Sequence, residues 1–189
     1  MDLLVLGVLL WCAVHLMPSV ARPLRQALVS RLGEGRYRGV FALFILAALV
    51  LIVLGWRSTP AVALFAPPAW GRAAAGPLVL LALFSFAASQ KKTNVDRLIR
   101  HPQLTGVAIW AAAHLLCNAE SRALVLFGTL GVWALLEMLF INRREGPRER
   151  PAAQPIRAEI KPFVASLLVF AVLFLLHPYF SGVSLRATP

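Results

Sequence analysis

The sequence predicts an all-α, polytopic membrane helix bundle of about six transmembrane helices, and three observations carry that prediction. Apolar side chains make up 59% of the 189 residues and charged ones 14%, against about 25% charged in soluble domains. The apolar residues gather into six runs, at about 2–18, 39–56, 73–90, 104–118, 121–141 and 162–180, and a bilayer span takes roughly 17–25 residues. The basic residues, finally, are concentrated in alternate loops. One integral membrane domain covering 1–189 is expected.

The first run invites comparison with a signal peptide, because Pro18-Ser19-Val20-Ala21 resembles a cleavage site. A basic leading region is missing, Asp2 being the only early charge, so a retained first helix is expected. The second and third runs are joined by a loop holding Pro60, Pro67 and Pro68. The fourth run is short and must borrow from Arg100-His101-Pro102-Gln103 or from Asn118, and Pro102 suits a first helical turn. Between the fifth and sixth runs, Pro147, Pro151 and Pro155 stand among Arg and Glu, which makes this the segment expected to be most mobile.

A net charge of +11 would suggest nucleic acid as the partner of a soluble protein. Here it is explained by topology, so no nucleic acid is expected. Loop 1 holds Arg22, Arg25, Arg31, Arg36 and Arg38, loop 3 holds Lys91, Lys92, Arg97 and Arg100, and loop 5 holds Arg143, Arg144, Arg148, Arg150, Arg157 and Lys161. Only Arg57, Arg72, Arg122 and Arg186 fall elsewhere. By the positive-inside rule, loops 1, 3 and 5 are cytoplasmic and both termini periplasmic, in a bacterial inner membrane. Membrane lipid is then the first partner. Cys12 and Cys117 lie within apolar runs and form no disulfide framework.

Trp11-Cys12-Ala13-Val14-His15-Leu16 and Trp110-Ala111-Ala112-Ala113-His114-Leu115 read almost alike, with their histidines 99 positions apart. Their helices run in opposite directions, which suggests a 3+3 inverted repeat, although outside this match the halves share little. At 1.5 Å per residue, His15 lies about 18 Å from one boundary and His114 about 15 Å from the other, near the midplane of a core of about 30 Å. Histidine inside a membrane is a functional-site hypothesis by default. Two neutral imidazoles in an apolar setting suit the axial positions of a haem iron; the plain alternative is helix–helix hydrogen bonding. Trp11 and Trp110 share a face with their histidines, there to pack either on a porphyrin or polyene or on their neighbours. Cys12 and Cys117 also share those faces, where a Cys₂His₂ zinc site competes with the simpler reading of buried small hydrophobes.

Other polar residues carry competing readings. Lys91, Lys92, Arg97 and Arg100 suit either haem propionates or topology and lipid phosphate. His101 is a helix-end hydrogen bonder or a support for the site. Glu137 is expected to pair with Arg143 or Arg144, His177 to lie within reach of water, and Asn118 with Glu120 to cap a turn. No nucleotide loop, Ser/His/Asp constellation or carboxylate dyad is present.

Arg100-His101-Pro102-Gln103-Leu104-Thr105-Gly106, leading into Trp110-Ala-Ala-Ala-His114-Leu-Leu-Cys-Asn118, resembles the NnrU family. So do Phe127-Gly128, Trp133-Ala134-Leu135, Asn142-Arg143-Arg144 and Gly33-Glu34-x-x-Tyr37-x-Gly39. The family includes plant 15-cis-ζ-carotene isomerase, and bacterial members are associated with denitrification. The resemblance implies haem b (iron) held by His15 and His114 as metal ligands. These two would also be the catalytic residues if the chemistry is cis–trans isomerisation of an apolar polyene. Trp11, Trp110, His101 and Arg100 would line the cofactor site. The alternative it implies is a non-catalytic haem or nitric-oxide-linked factor supporting nitrite and nitric oxide reduction. Two positions depart from the family pattern: Asn118-Ala119-Glu120 stands where Asn-Gly-Asp is expected, and Cys117 where a small residue is usual.

Overall fold

In the computed structural model, which describes residues 1–183 and 185, every regular element is a helix. Arg186 lies outside the described residues. Helix α1 spans Asp2–Val20, α2 Arg22–Leu32, α3 Glu34–Ser58 and α4 Gly71–Ala88. After a single turn, α5 (Val95–Leu98), come α6 (Pro102–Cys117) and α7 (Ser121–Glu145). A 3₁₀ turn, Ile156–Glu159, then leads into α8 (Ile160–Ser181). Five of these rods are long and apolar enough to cross a membrane, α8 with its leading turn included, and the 16-residue α6 is a shorter apolar helix. The chain is a polytopic helical membrane protein.

The six expected runs fall on the five long helices and the shorter α6, with shifted ends. Helix α3 begins at Glu34 rather than near residue 39, because Gly33, at φ 77°, breaks the chain there and helix formation needs no apolar side chain. Loop 1 is itself mostly helix: α2 buries none of its residues and carries Arg22, Arg25 and Arg31. Pro102 does open α6, as its missing N–H allows.

Glycines let the helices meet backbone to backbone. A Cβ on Gly55 of α3 would stand 2.2 Å from the Leu4 nitrogen of α1, and one on Gly7 would stand 2.7 Å from the Ile52 nitrogen. Gly71 of α4 lies against the Leu116 carbonyl of α6, and Gly106 of α6 against the Ala82 carbonyl of α4. Such pairings of small residues replace the hydrophobic effect, which does not operate between helices in lipid. The bundle thus has two close antiparallel pairs, α1–α3 and α4–α6. Helix α7 packs against both α1 and α6, while α8 packs on α4 and reaches α3 at one end. An inverted repeat would map the α4–α6 pair onto an α8–α1 pair of similar extent. No such pair forms, so the packing is not symmetrical in that way.

Each end of the bundle is tied by polar contacts. At the end holding loops 1, 3 and 5, Arg97 Nε donates to the Pro151 carbonyl (3.0 Å) and Asn94 Nδ2 to the Gln154 carbonyl (2.8 Å), and Arg148 bonds the Asp96 carbonyl. Loop 5, expected to be mobile, is therefore fastened to loop 3, because its arginines find carbonyls that have no helical partner. At the opposite end Leu64 N donates to the Ala119 carbonyl and Ser121 N to the Val62 carbonyl. There Arg122 sits 2.8 Å from a Glu120 carboxylate oxygen and 4.4 Å from the Trp56 ring centre.

Candidate functional site: two histidines packed against α7

His15 and His114 hold the same local geometry. In each, Nδ1 lies 2.9 Å from the backbone carbonyl oxygen four residues back, that of Trp11 or Trp110. A carbonyl only accepts, so Nδ1 carries the proton and donates it. Nε2 is then the bare nitrogen, which is the tautomer a metal requires. Each tryptophan also packs on its own histidine, at ring-centre distances of 4.2 and 4.9 Å.

Helix α7 supplies the rest of both shells. Trp133 lies 5.1 Å from the His15 ring and 6.3 Å from the Trp11 ring, and Phe41 of α3 adds a third aromatic wall at 5.8 Å. Phe127 stacks on His114 at 4.4 Å with an interplanar angle of 24°, and it also meets Trp110 and Trp56. Phe127 belongs to a π-helical turn, Leu124–Gly128, within α7; single π turns inside α-helices recur at functional sites.

The two shells differ in polarity. One turn beyond Trp133 on the same face, Glu137 is 8% exposed and accepts a hydrogen bond from Ser19 of α1. It does not pair with Arg143 or Arg144; the crossing helix, not the neighbouring sequence, supplies its partner. Its other oxygen, the Trp11 and Trp133 indole N–H groups and the Tyr37 hydroxyl are buried without protein partners. Around His114, by contrast, the polar contacts are local: Asn118 Nδ2 donates to the His114 carbonyl (2.8 Å) and Cys117 Sγ to the Ala113 carbonyl (3.4 Å).

Chemically, each histidine fits an iron ligand. Helices α1 and α6 share no extended contact, and the residues that touch the two rings, Trp133 and Phe127, are six positions apart on α7, or about 9 Å along the helix. Cys12 is buried and Cys117 bonds backbone; among the described residues no three His, Cys, Asp or Glu side chains come together. Arg100 and His101 lie at the basic end, not beside His114. Arg100 donates to the Gly146 carbonyl (2.7 Å) and pairs with Glu145 (3.2 Å), while His101 Nε2 lies 2.9 Å from Asn142 Oδ1. His177 donates to the Val183 carbonyl (2.8 Å) near the end of α8.

The sequence reading missed Trp133, Phe127 and Phe41 as shell residues. Trp133-x-x-x-Glu137 repeats the four-residue spacing of Trp11 to His15 and of Trp110 to His114, a signal that could have drawn attention to the first. Nothing in the sequence marks the π turn that aims Phe127.

A helical membrane bundle with two half-buried, proton-fixed histidines on either flank of one central helix defines the class. A family model described as "NnrU protein" matches residues 3–185, and the chain belongs to that family. No curated protein and no solved structure matches the chain.

Proposed function

We propose that this protein binds haem b in the membrane, with His15 and His114 as the iron ligands. One observation carries the reading: both histidines spend Nδ1 on a backbone carbonyl, which leaves Nε2 bare inside an aromatic shell. Haem, when bound, would supply a redox-active iron. The chain's own part is to fix each imidazole's tautomer and rotation through the Trp11 and Trp110 carbonyls, and to keep water away with Trp133, Phe41 and Phe127. Ligation of one iron by both histidines would keep α1 and α6 out of direct backbone contact, and the two helices share no extended contact; ligation by one sets no condition on the pair.

The finer reading is that the site isomerises an apolar polyene entering from lipid, as the resemblance to the carotene isomerase implies. A second reading, a non-catalytic haem factor supporting denitrification, is favoured by the close packing of aromatic rings on both histidines. Orientation follows the charge: the basic end faces the cytoplasm of a bacterial inner membrane.

The test is an optical spectrum of detergent-purified protein, oxidised and then reduced with dithionite. A low-spin haem b spectrum with stoichiometric haem is expected. His15→Ala and His114→Ala should each lose haem or shift it to a five-coordinate form, while His177→Ala should keep the parent spectrum. Equal haem content and spectra in all three variants would overturn the ligand assignment. Loss in only one of the two would assign a single ligand. Haem present without turnover of a 15-cis polyene would decide for the non-catalytic factor.

A further inference from the structure

We propose that the corner formed by α1, α2 and α3 is a binding site for the phosphate headgroup of an anionic phospholipid. A cavity of about 320 Å³ opens there, lined by Pro18, Arg25, Glu34, Tyr37, Arg38 and Phe41. Its walls divide by chemistry: Pro18 and Phe41 are apolar, while Arg25 and Arg38 bring two guanidinium groups, the donors best matched to phosphate oxygens. Arg25 stands 5.5 Å over the Tyr37 ring, which holds it toward the cavity. Tyr37 is only 7% exposed, so the ring beneath Arg25 is fixed by its packing.

Glu34 is the one acidic group in the lining. It lies 3.9 Å from Arg25 and 3.1 Å from Arg38, and all three side chains are well exposed. Exposed pairs of this kind are worth at most about 1 kcal/mol, so a phosphate can displace the carboxylate. Glu34 thus competes with the ligand rather than binding it.

The position selects lipid over a free anion. The apolar rods α1 and α3 both end at this corner, so the cavity opens at the level where lipid headgroups lie. Phe44, one turn beyond Phe41 on α3, is an exposed apolar side chain that can take an acyl chain.

The experiment titrates dioleoyl-phosphatidylglycerol into the detergent-purified full chain, with bound lipid counted by native mass spectrometry. Arg25→Gln/Arg38→Gln should weaken binding at least tenfold, whereas Arg31→Gln/Arg36→Gln, the same charge change outside the cavity, should alter it less than twofold. Glu34→Gln should tighten it severalfold. Circular dichroism and monodisperse elution check that each variant is folded. Phosphatidylcholine, of no net charge, should bind at least tenfold more weakly. Equal losses in the two double variants would reduce the site to diffuse charge and overturn the proposal. So would displacement of the lipid by inorganic phosphate at low millimolar concentration, which would make it a free-anion site.

Discussion

Trp11–His15 and Trp110–His114 are near copies in sequence, yet α7 meets them with different chemistry. Near His15 it presents Trp133 and, one turn on, a buried carboxylate bonded to Ser19. Against His114 it presents Phe127, stacked flat on the ring from a π turn. The repeated motif therefore fixes only what is local: the proton on Nδ1, the bare Nε2 and the tryptophan beside it. What surrounds each histidine is set by the partner helix, and the two sites are equal as donors but unequal as environments. Both sides are aromatic, but the His15 side holds under-satisfied polar groups and the His114 side only locally satisfied ones.

The strongest way to break this contrast is to remove α7's aromatic from the polar side. Trp133 is 6% exposed and touches both Trp11 and His15. Trp133→Ala should cost about 4 kcal/mol, the range for deleting a large buried aromatic, read as a drop in the thermal midpoint of the purified protein. Phe127→Leu keeps most of the volume and should cost about 1 kcal/mol, within the range for volume-conserving exchanges. Equal losses, the one from a far smaller change, would mean that the His114 shell depends on α7 more than the His15 shell does.

A second, smaller effect compares the helix pairs that carry the histidines. Gly55→Ala would drive a Cβ to 2.2 Å from the Leu4 backbone nitrogen, an atom that cannot swing aside. Gly106→Ala would meet the Ala82 carbonyl at 2.8 Å and the movable Phe86 ring at 2.9 Å. The first should cost about 3 kcal/mol and the second about 1 kcal/mol, the two ends of the usual overpacking range. Melting curves of both variants check the order, and the reverse order would mean that the α4–α6 contact, not α1–α3, is the tighter one.

The contrast between the sites also marks what was legible in the sequence. The long helices follow from apolar runs because in lipid every backbone group must be bonded within its own segment. The two histidines and their tryptophans follow from a spacing that a helix turns into a shared face. Helix α2 does not follow: Arg22–Leu32 reads as a basic loop, and helicity at a membrane surface does not need an apolar run. The partners of Glu137, Arg100 and His101 do not follow either. Each is decided by which residue of another helix or loop stands at the same level, and that register depends on glycine contacts far away in sequence, such as Gly55 on Leu4. The Trp133 and Phe127 shells fail for the same reason, with the π turn adding a rotation that no periodicity signals.

Glu137 offers the finest test of the polar side. One of its oxygens accepts from Ser19, and the other is buried with no partner. A carboxylate in that position carries a desolvation cost that its single hydrogen bond only partly offsets. Glu137→Gln keeps an oxygen for the Ser19 hydroxyl and removes the charge, so the thermal midpoint should rise, by the equivalent of about 1 kcal/mol. Ser19→Ala strips the remaining partner and should lower it by a similar amount. If Glu137→Gln instead destabilised the protein while Ser19→Ala did nothing, the carboxylate would be engaged by a group other than Ser19. The His15 side would then be a satisfied polar site rather than an under-satisfied one, and the difference from His114 would lie in hydrogen bonding alone rather than in a cost held at one histidine.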